Sequence, residues 1–191
     1  MTEIKDFRFR FDRALQATAY LVKKAGDEAN VIRLMKLLYI ADREYLLSYG
    51  EMITGDRIFA MDRGPVLSIV LDLIRGKGKR EQVRKWAEYL QTIDSIQRIR
   101  LLKEPNTGSL CCASREMLDK VYARYGHLDK YEIVDLTHDF PEWIKYYNEG
   151  TSTPIPWVDI LQLHGKQSMV KTVMDYIEMD EYQHALFGGK Q

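Results

Sequence analysis

The chain has 191 residues, 46% of them hydrophobic and 29% charged, which fits one globular domain able to bury a core without disulfides or metal. Its 28 basic and 28 acidic side chains cancel, so no global field draws it to nucleic acid or an anionic membrane. No run approaches the length of a membrane-spanning helix, and the opening MTEIKDFRFRF carries charges where a signal peptide needs an apolar centre, so the expectation is a cytoplasmic protein without a membrane partner.

Phe7, Phe9 and Phe11 alternate with Arg8 and Arg10, a pattern open to an edge strand, a binding arm or a tail pinned by its aromatics, and the pinned tail is the reading adopted. Phe11, Ala14, Leu15, Thr18, Leu21, Val22 and Ala25 then recur at helical spacing up to Gly26. Asn30 is a good N-cap for the most apolar helix in the chain, Val31 to Tyr49, closed by Gly50. Its apolar face leaves little of the circumference polar, as in a helix covered on several sides. Thr54, Gly55 and Asp56 supply turn chemistry before an alternating stretch, Arg57 to Asp62, that suits a strand. Gly64 and Pro65 stand where an N-cap and first helical residue belong, ahead of a helix from Val66 to Ile74.

The basic stretch RGKGKREQVRK (75–85) lacks the glycine and hydroxyl placements of a phosphate-binding loop and reads as a solvated connection into a helix, Glu81 to Gln91. Ile96 to Lys103 has strand character, and its expected antiparallel partner is Arg57 to Asp62. Glu104, Pro105, Asn106, Thr107 and Gly108 form a turn cluster. Cys111 and Cys112 are neighbours that cannot staple distant segments and read as small residues entering a helix, capped by Ser114 and running to Tyr125. A shorter helix follows Asp129, Pro141 starts another with Trp143, Ile144 and Tyr147 turned inward, and residues 150–156 form a Pro- and Thr-rich connection. Trp157 to Leu163 and the extension 166–187, capped by Ser168, complete the helices. The pattern predicts an α+β, mainly α fold: one compact helical domain over 1–191 with a small two- or three-stranded antiparallel sheet.

Three words carry a resemblance: KLLYIADREYLLSYG, then ITGDRIFAMDRGPV, then DLTHDFPEWIKY. In this order they resemble the Panacea domain, the SocA-like antitoxin and phage-associated family, over about residues 11–161. The resemblance implies a mostly helical domain that binds and neutralises a protein toxin encoded beside it. In one branch it also implies an adaptor that hands its partner to a ClpXP-type protease. The family's words fall on Lys36, Leu37, Leu38, Tyr39, Asp42, Gly55, Asp56, Gly64, Pro65, Val66, Thr137, His138 and Trp143. Gly55, Gly64, Pro65 and Trp143 have structural roles ready to hand. The polar residues Tyr39, Asp42, Asp56, Arg57, Arg63 and His138 are candidates for a shared network or a partner surface.

Asp42 lies one turn beyond Leu38 on an otherwise apolar face and needs a cation or backbone donor, with Arg57 or Arg63 as the expected partner. His138, between Asp135 and Asp139, is read as a hydrogen-bonded structural histidine, because no second histidine has ligand spacing. GxSxG, HExxH and CxxC signatures are absent, so no catalytic residue, metal or cofactor is assigned and the expectation is not an enzyme. The alternative is a nucleic-acid-associated phage or regulatory protein using the basic loop 75–85, disfavoured by the neutral charge. Nothing in the pattern sets an oligomeric state.

Overall fold

The computed structural model describes residues 4–106 and 108–187; Thr107 of the turn cluster and the chain ends lie outside them. At its centre is a helix, Val31–Tyr49, with neither glycine nor proline inside it. The Asn30 side chain accepts the Arg33 amide as N-cap, and Gly50 follows its last residue. Leu34, Leu38, Ile40 and Leu46 are almost completely enclosed, so the helix is covered on several sides as its sequence requires. Counting along the chain, the helices are α1 (Phe11–Lys24), this α2, α3 (Ser68–Ile74), α4 (Arg80–Ala87), α5 (Cys112–Tyr125), α6 (Lys130–His138), α7 (Pro141–Tyr146), α8 (Trp157–Leu163) and α9 (Met169–Phe187). The strands are β1 (Glu28–Asn30), β2 (Ile58–Met61), β3 (Gly64–Leu67), β4 (Leu90–Ile93), β5 (Arg98–Leu101) and β6 (Thr153–Ile155).

The fold is mainly α with β, but the described residues hold two three-stranded antiparallel sheets, ordered β1-β5-β4 and β3-β2-β6. The expected pairing of 57–62 with 96–103 is therefore wrong. Ile99 of β5 stands opposite Ala29 and Thr92, while Ala60 of β2 stands opposite Pro65 and Thr153. Each strand took a hairpin neighbour close in sequence on one side, β3 for β2 and β4 for β5, which closes a short loop, and its other edge is filled by β6 or β1 from a distant part of the chain. Gly64 and Pro65 likewise open β3 and not a helix. Proline is tolerated there because β3 is an edge strand.

Other boundaries shift for similar reasons. The helix expected to reach Gln91 stops at Ala87, since Leu90–Ile93 pairs with β5. Cys111, not Ser114, caps α5, its sulfur accepting the Ser114 amide. The connection 150–156 contains β6. Ile144 is 61% exposed and does not turn inward. The aromatic tail is pinned as expected: Phe7 packs edge-on to Trp157 with centroids 5.5 Å apart, and the Arg10 amide donates to the Thr54 carbonyl at 2.8 Å. Arg8 and Arg10 both pair with Asp180 of α9, tying the arm to the last helix.

Candidate functional site

Four polar side chains of α2, Lys36, Tyr39, Asp42 and Arg43, point into the molecule, and each is almost fully buried. Burial of such groups is tolerated only when they are hydrogen-bonded or paired, so their partners define the polar interior.

Asp42 does not pair with Arg57 or Arg63. Its carboxylate accepts the Thr54 amide at 3.0 Å and the Thr54 hydroxyl, and the Thr54 hydroxyl oxygen accepts the Asp56 amide at 3.1 Å. Asp56 in turn accepts the amides of Ile69 at 2.9 Å and Val70 at 2.8 Å, capping a helix, α3, whose own preceding residue Leu67 offers no side-chain cap. Both carboxyls are needed as acceptors inside the fold, which a strand-borne arginine would not replace. Gly55, between them, has φ +65°, and a β-carbon there would lie 2.2 Å from the Arg8 carbonyl oxygen. The glycine admits the N-terminal arm.

Burial pushes the Asp42 carboxyl from 3.8 up to about 7, against the Thr54 hydrogen bonds that favour its ion. A carboxyl raised in the fold contributes stability that is full below its unfolded value and is lost as the pH rises through its folded one. Asp42→Ala is expected to cost about 1–3 kcal/mol by leaving buried Thr54 donors without an acceptor. Asp42→Asn retains an acceptor, and chemical denaturation should show the Asn protein gaining on the wild type between pH 4 and pH 7. A constant difference over that range would refute the buried-acid assignment.

The second network was not visible in the sequence. Glu142, in the first turn of α7, is completely enclosed and accepts from Tyr39 Oη at 2.6 Å and Arg43 Nε at 2.5 Å. Arg43 also donates to His164 Nε2 at 2.6 Å and lies over the Phe140 ring at 4.2 Å. Burial would raise Glu142, but the Arg43 charge and hydrogen bonds outweigh it and hold the carboxyl below its usual value, while burial and Glu142 together push the Tyr39 hydroxyl well above its own. The available signal was the spacing of Lys36, Tyr39 and Arg43 along one face of an apolar helix, which demanded buried partners without naming them.

Lys36 donates to the Pro65 carbonyl at 2.7 Å, and burial lowers its ammonium to about 7. Gly64, with φ +85°, lies against it: a β-carbon there would meet Thr137 Oγ1 at 2.6 Å and Lys36 Nζ at 3.0 Å. His138 stacks on Trp143 at 4.0 Å, Trp143 stacks on Tyr147 at 4.4 Å, and Trp143 Nε1 donates to the Met61 carbonyl at 3.1 Å. Burial, and next to it the charge of Lys36, holds the His138 imidazole below its ordinary value. Tyr39, Asp42 and Asp56 thus belong to the interior, and His138 to a half-buried aromatic stack.

Arg57 and Arg63 remain on the outside, in different places. Arg57 borders a hollow of about 370 Å³ with Ile4, Phe7 and Pro154. Arg63, at the β2–β3 tip, borders a cleft of about 570 Å³ that also involves the start of α2, the end of α3, the β4–β5 turn and Lys130 at the start of α6. Among the described residues no three His, Cys, Asp or Glu side chains converge as a metal site, and no helix is long and apolar enough to cross a membrane.

Residues 34–144, more than half of the chain, match the family described as Antitoxin SocA-like, Panacea domain. The chain belongs to this family. No curated protein and no solved structure matches it. The Panacea match runs from Leu34 within α2 to Ile144, so it contains the Asp42–Thr54–Asp56 network, Lys36, the hairpin and Glu142, and ends before His164 and α9. Membership carries a general antitoxin role, whose partner is in general a protein toxin.

Proposed function

We propose that this protein neutralises a cognate toxin by binding it directly and not by catalysing a reaction. Membership of the Panacea family over residues 34–144 is the observation that carries this reading. The geometry supports it: the polar side chains of α2 are consumed by internal partners, while open clefts remain at the surface. Co-expression with the product of the adjacent gene should relieve a growth arrest and yield a complex that co-purifies. A non-toxic neighbour, or rescue without a complex, would count against direct neutralisation. The adaptor role towards a ClpXP-type protease is a separate element of the proposal, and it requires the toxin to disappear faster when this protein is present. An unchanged toxin half-life removes that element and leaves the binding.

The runner-up is nucleic-acid association through the basic stretch. Lys77, Lys79 and Arg80 are exposed there and none forms an ion pair among the described residues. Replacing these three with Gln should leave the melting curve within the small range of ordinary surface substitutions, about 0.5 kcal/mol, and leave neutralisation intact. A salt-sensitive RNA or DNA complex abolished in that variant would favour the runner-up.

A further inference from the structure

The cleft beside the β2–β3 tip combines two properties that the buried networks lack. Part of its wall is apolar, with Val31, Met35, Val66, Leu71 and Ile96 among the residues that line it. Arg63, Arg75 and Lys130 border it, and among the described residues none of the three has a carboxylate partner; Asp62 is the single acid in the lining. In a chain of zero net charge, whose N-terminal arginines are matched to Asp180 and Glu51, this is a local surplus of unmatched positive charge around an apolar hollow.

The β4–β5 turn adds an independent feature. Asp94, Ser95 and Ile96 have φ of 52°, 52° and 72°, three successive non-glycine residues in a conformation that L side chains rarely adopt, and least of all a β-branched isoleucine. The turn is fastened in place: the Gln97 amide donates to the Asp94 carbonyl at 3.1 Å, and the Gln97 carbonyl accepts the Val31 amide at 3.0 Å and Asn30 Nδ2 at 3.3 Å. The result leaves Ile96 44% exposed on the wall of the cleft.

We propose that this cleft is where the protein partner docks, and that it receives an acidic segment of that partner bearing an apolar anchor side chain. The inference rests on the antitoxin reading and specifies its contact surface. About 570 Å³ lies within the range of about 300–1,000 Å³ that encloses a ligand of several side chains' bulk. The apolar wall takes the anchor, and Arg63, Arg75 and Lys130 meet the carboxylates, which sets register and speeds encounter. Single-stranded nucleic acid fits less well, because none of the lining residues is aromatic and base stacking has no platform.

The test uses the full chain and the product of the adjacent gene as the probe. Arg63→Glu combined with Arg75→Glu changes two exposed residues and should keep the melting curve while weakening the complex about tenfold or more and abolishing growth rescue. A photo-cross-linking residue placed at Ile96 should capture the partner, and one placed at Leu163 on α8 should not. The captured peptide should carry a surplus of Asp and Glu beside a Leu, Ile, Met or Phe. If the wild type binds the neighbour and the double variant binds as tightly, the cleft is wrong and the antitoxin reading survives. If the wild type does not bind the neighbour, both fall. A captured peptide that is neutral or basic overturns the proposed occupant, and loss of bound RNA with protein binding unaltered assigns the cleft to nucleic acid instead.

Discussion

Glu142→Ala lowers the stability of the isolated protein by about 3–5 kcal/mol, because it strands a buried cation and leaves a phenol without its acceptor. Glu142 is completely enclosed, and Arg43, only 5% exposed, depends on it for a hydrogen bond at 2.5 Å. Tyr39 loses its bond at 2.6 Å in the same substitution. What remains to Arg43 is Glu44, His164 and the face of Phe140, of which Glu44 lies toward solvent. A marginally stable domain has about 5–15 kcal/mol in total, so the variant should unfold at much lower denaturant concentration or fail to accumulate. Combining it with Arg43→Met removes the stranded charge and should recover part of the loss, which a thermodynamic cycle from urea unfolding measures. Additive effects of the two substitutions would refute the coupling.

Leu38→Ala is expected to cost about 2–5 kcal/mol, through lost burial together with the cavity left behind. Leu38 is 1% exposed in the middle of α2, with Leu34, Tyr39 and Ile40 equally enclosed around it. Because α5, α6 and α8 all pack on α2 as well as the hairpin, the surroundings are fixed from several directions and cannot collapse far into the space. Urea unfolding should show a lower midpoint with an unchanged slope. A loss under 1 kcal/mol would mean that the core is looser than its packing indicates.

The apolar helix α2 was legible because Asn30, the 3.6-residue period and Gly50 agree with one another, and tertiary packing reinforced all three. The pinned aromatic arm and the mainly helical class were legible too. The strand partners were not: strands of three or four residues carry too little alternation to encode a register, and Gly64-Pro65 fits a helix start as well as an edge strand. Of the candidate residues, the need for a buried partner at Asp42 could be read from its position, but its partner could not, since Thr54 offers a backbone amide that every residue possesses and a hydroxyl that reads equally well as turn chemistry. Glu142 was missed because an acid in the first turn of a helix is also favoured by the helix dipole and therefore signals nothing unusual. The cleft is assembled from five separated segments, and no local pattern announces such a convergence.

The capping of α3 by Asp56 has a consequence for how the molecule is made. A seven-residue helix is too short to persist alone, and this one borrows the acceptors for its second and third amides from a residue thirteen and fourteen positions earlier in the chain. The intervening residues are the β2–β3 hairpin, so the loop that brings Asp56 to Ile69 and Val70 is closed by strand pairing, and the Ser68 amide then settles on the Arg57 carbonyl at 2.9 Å. Turn, hairpin and helix thus hold one another in place and are latched to α2 through Asp42, so α3 lacks its cap until the Asp56 turn and the hairpin that carries it to Ile69 and Val70 are both in position.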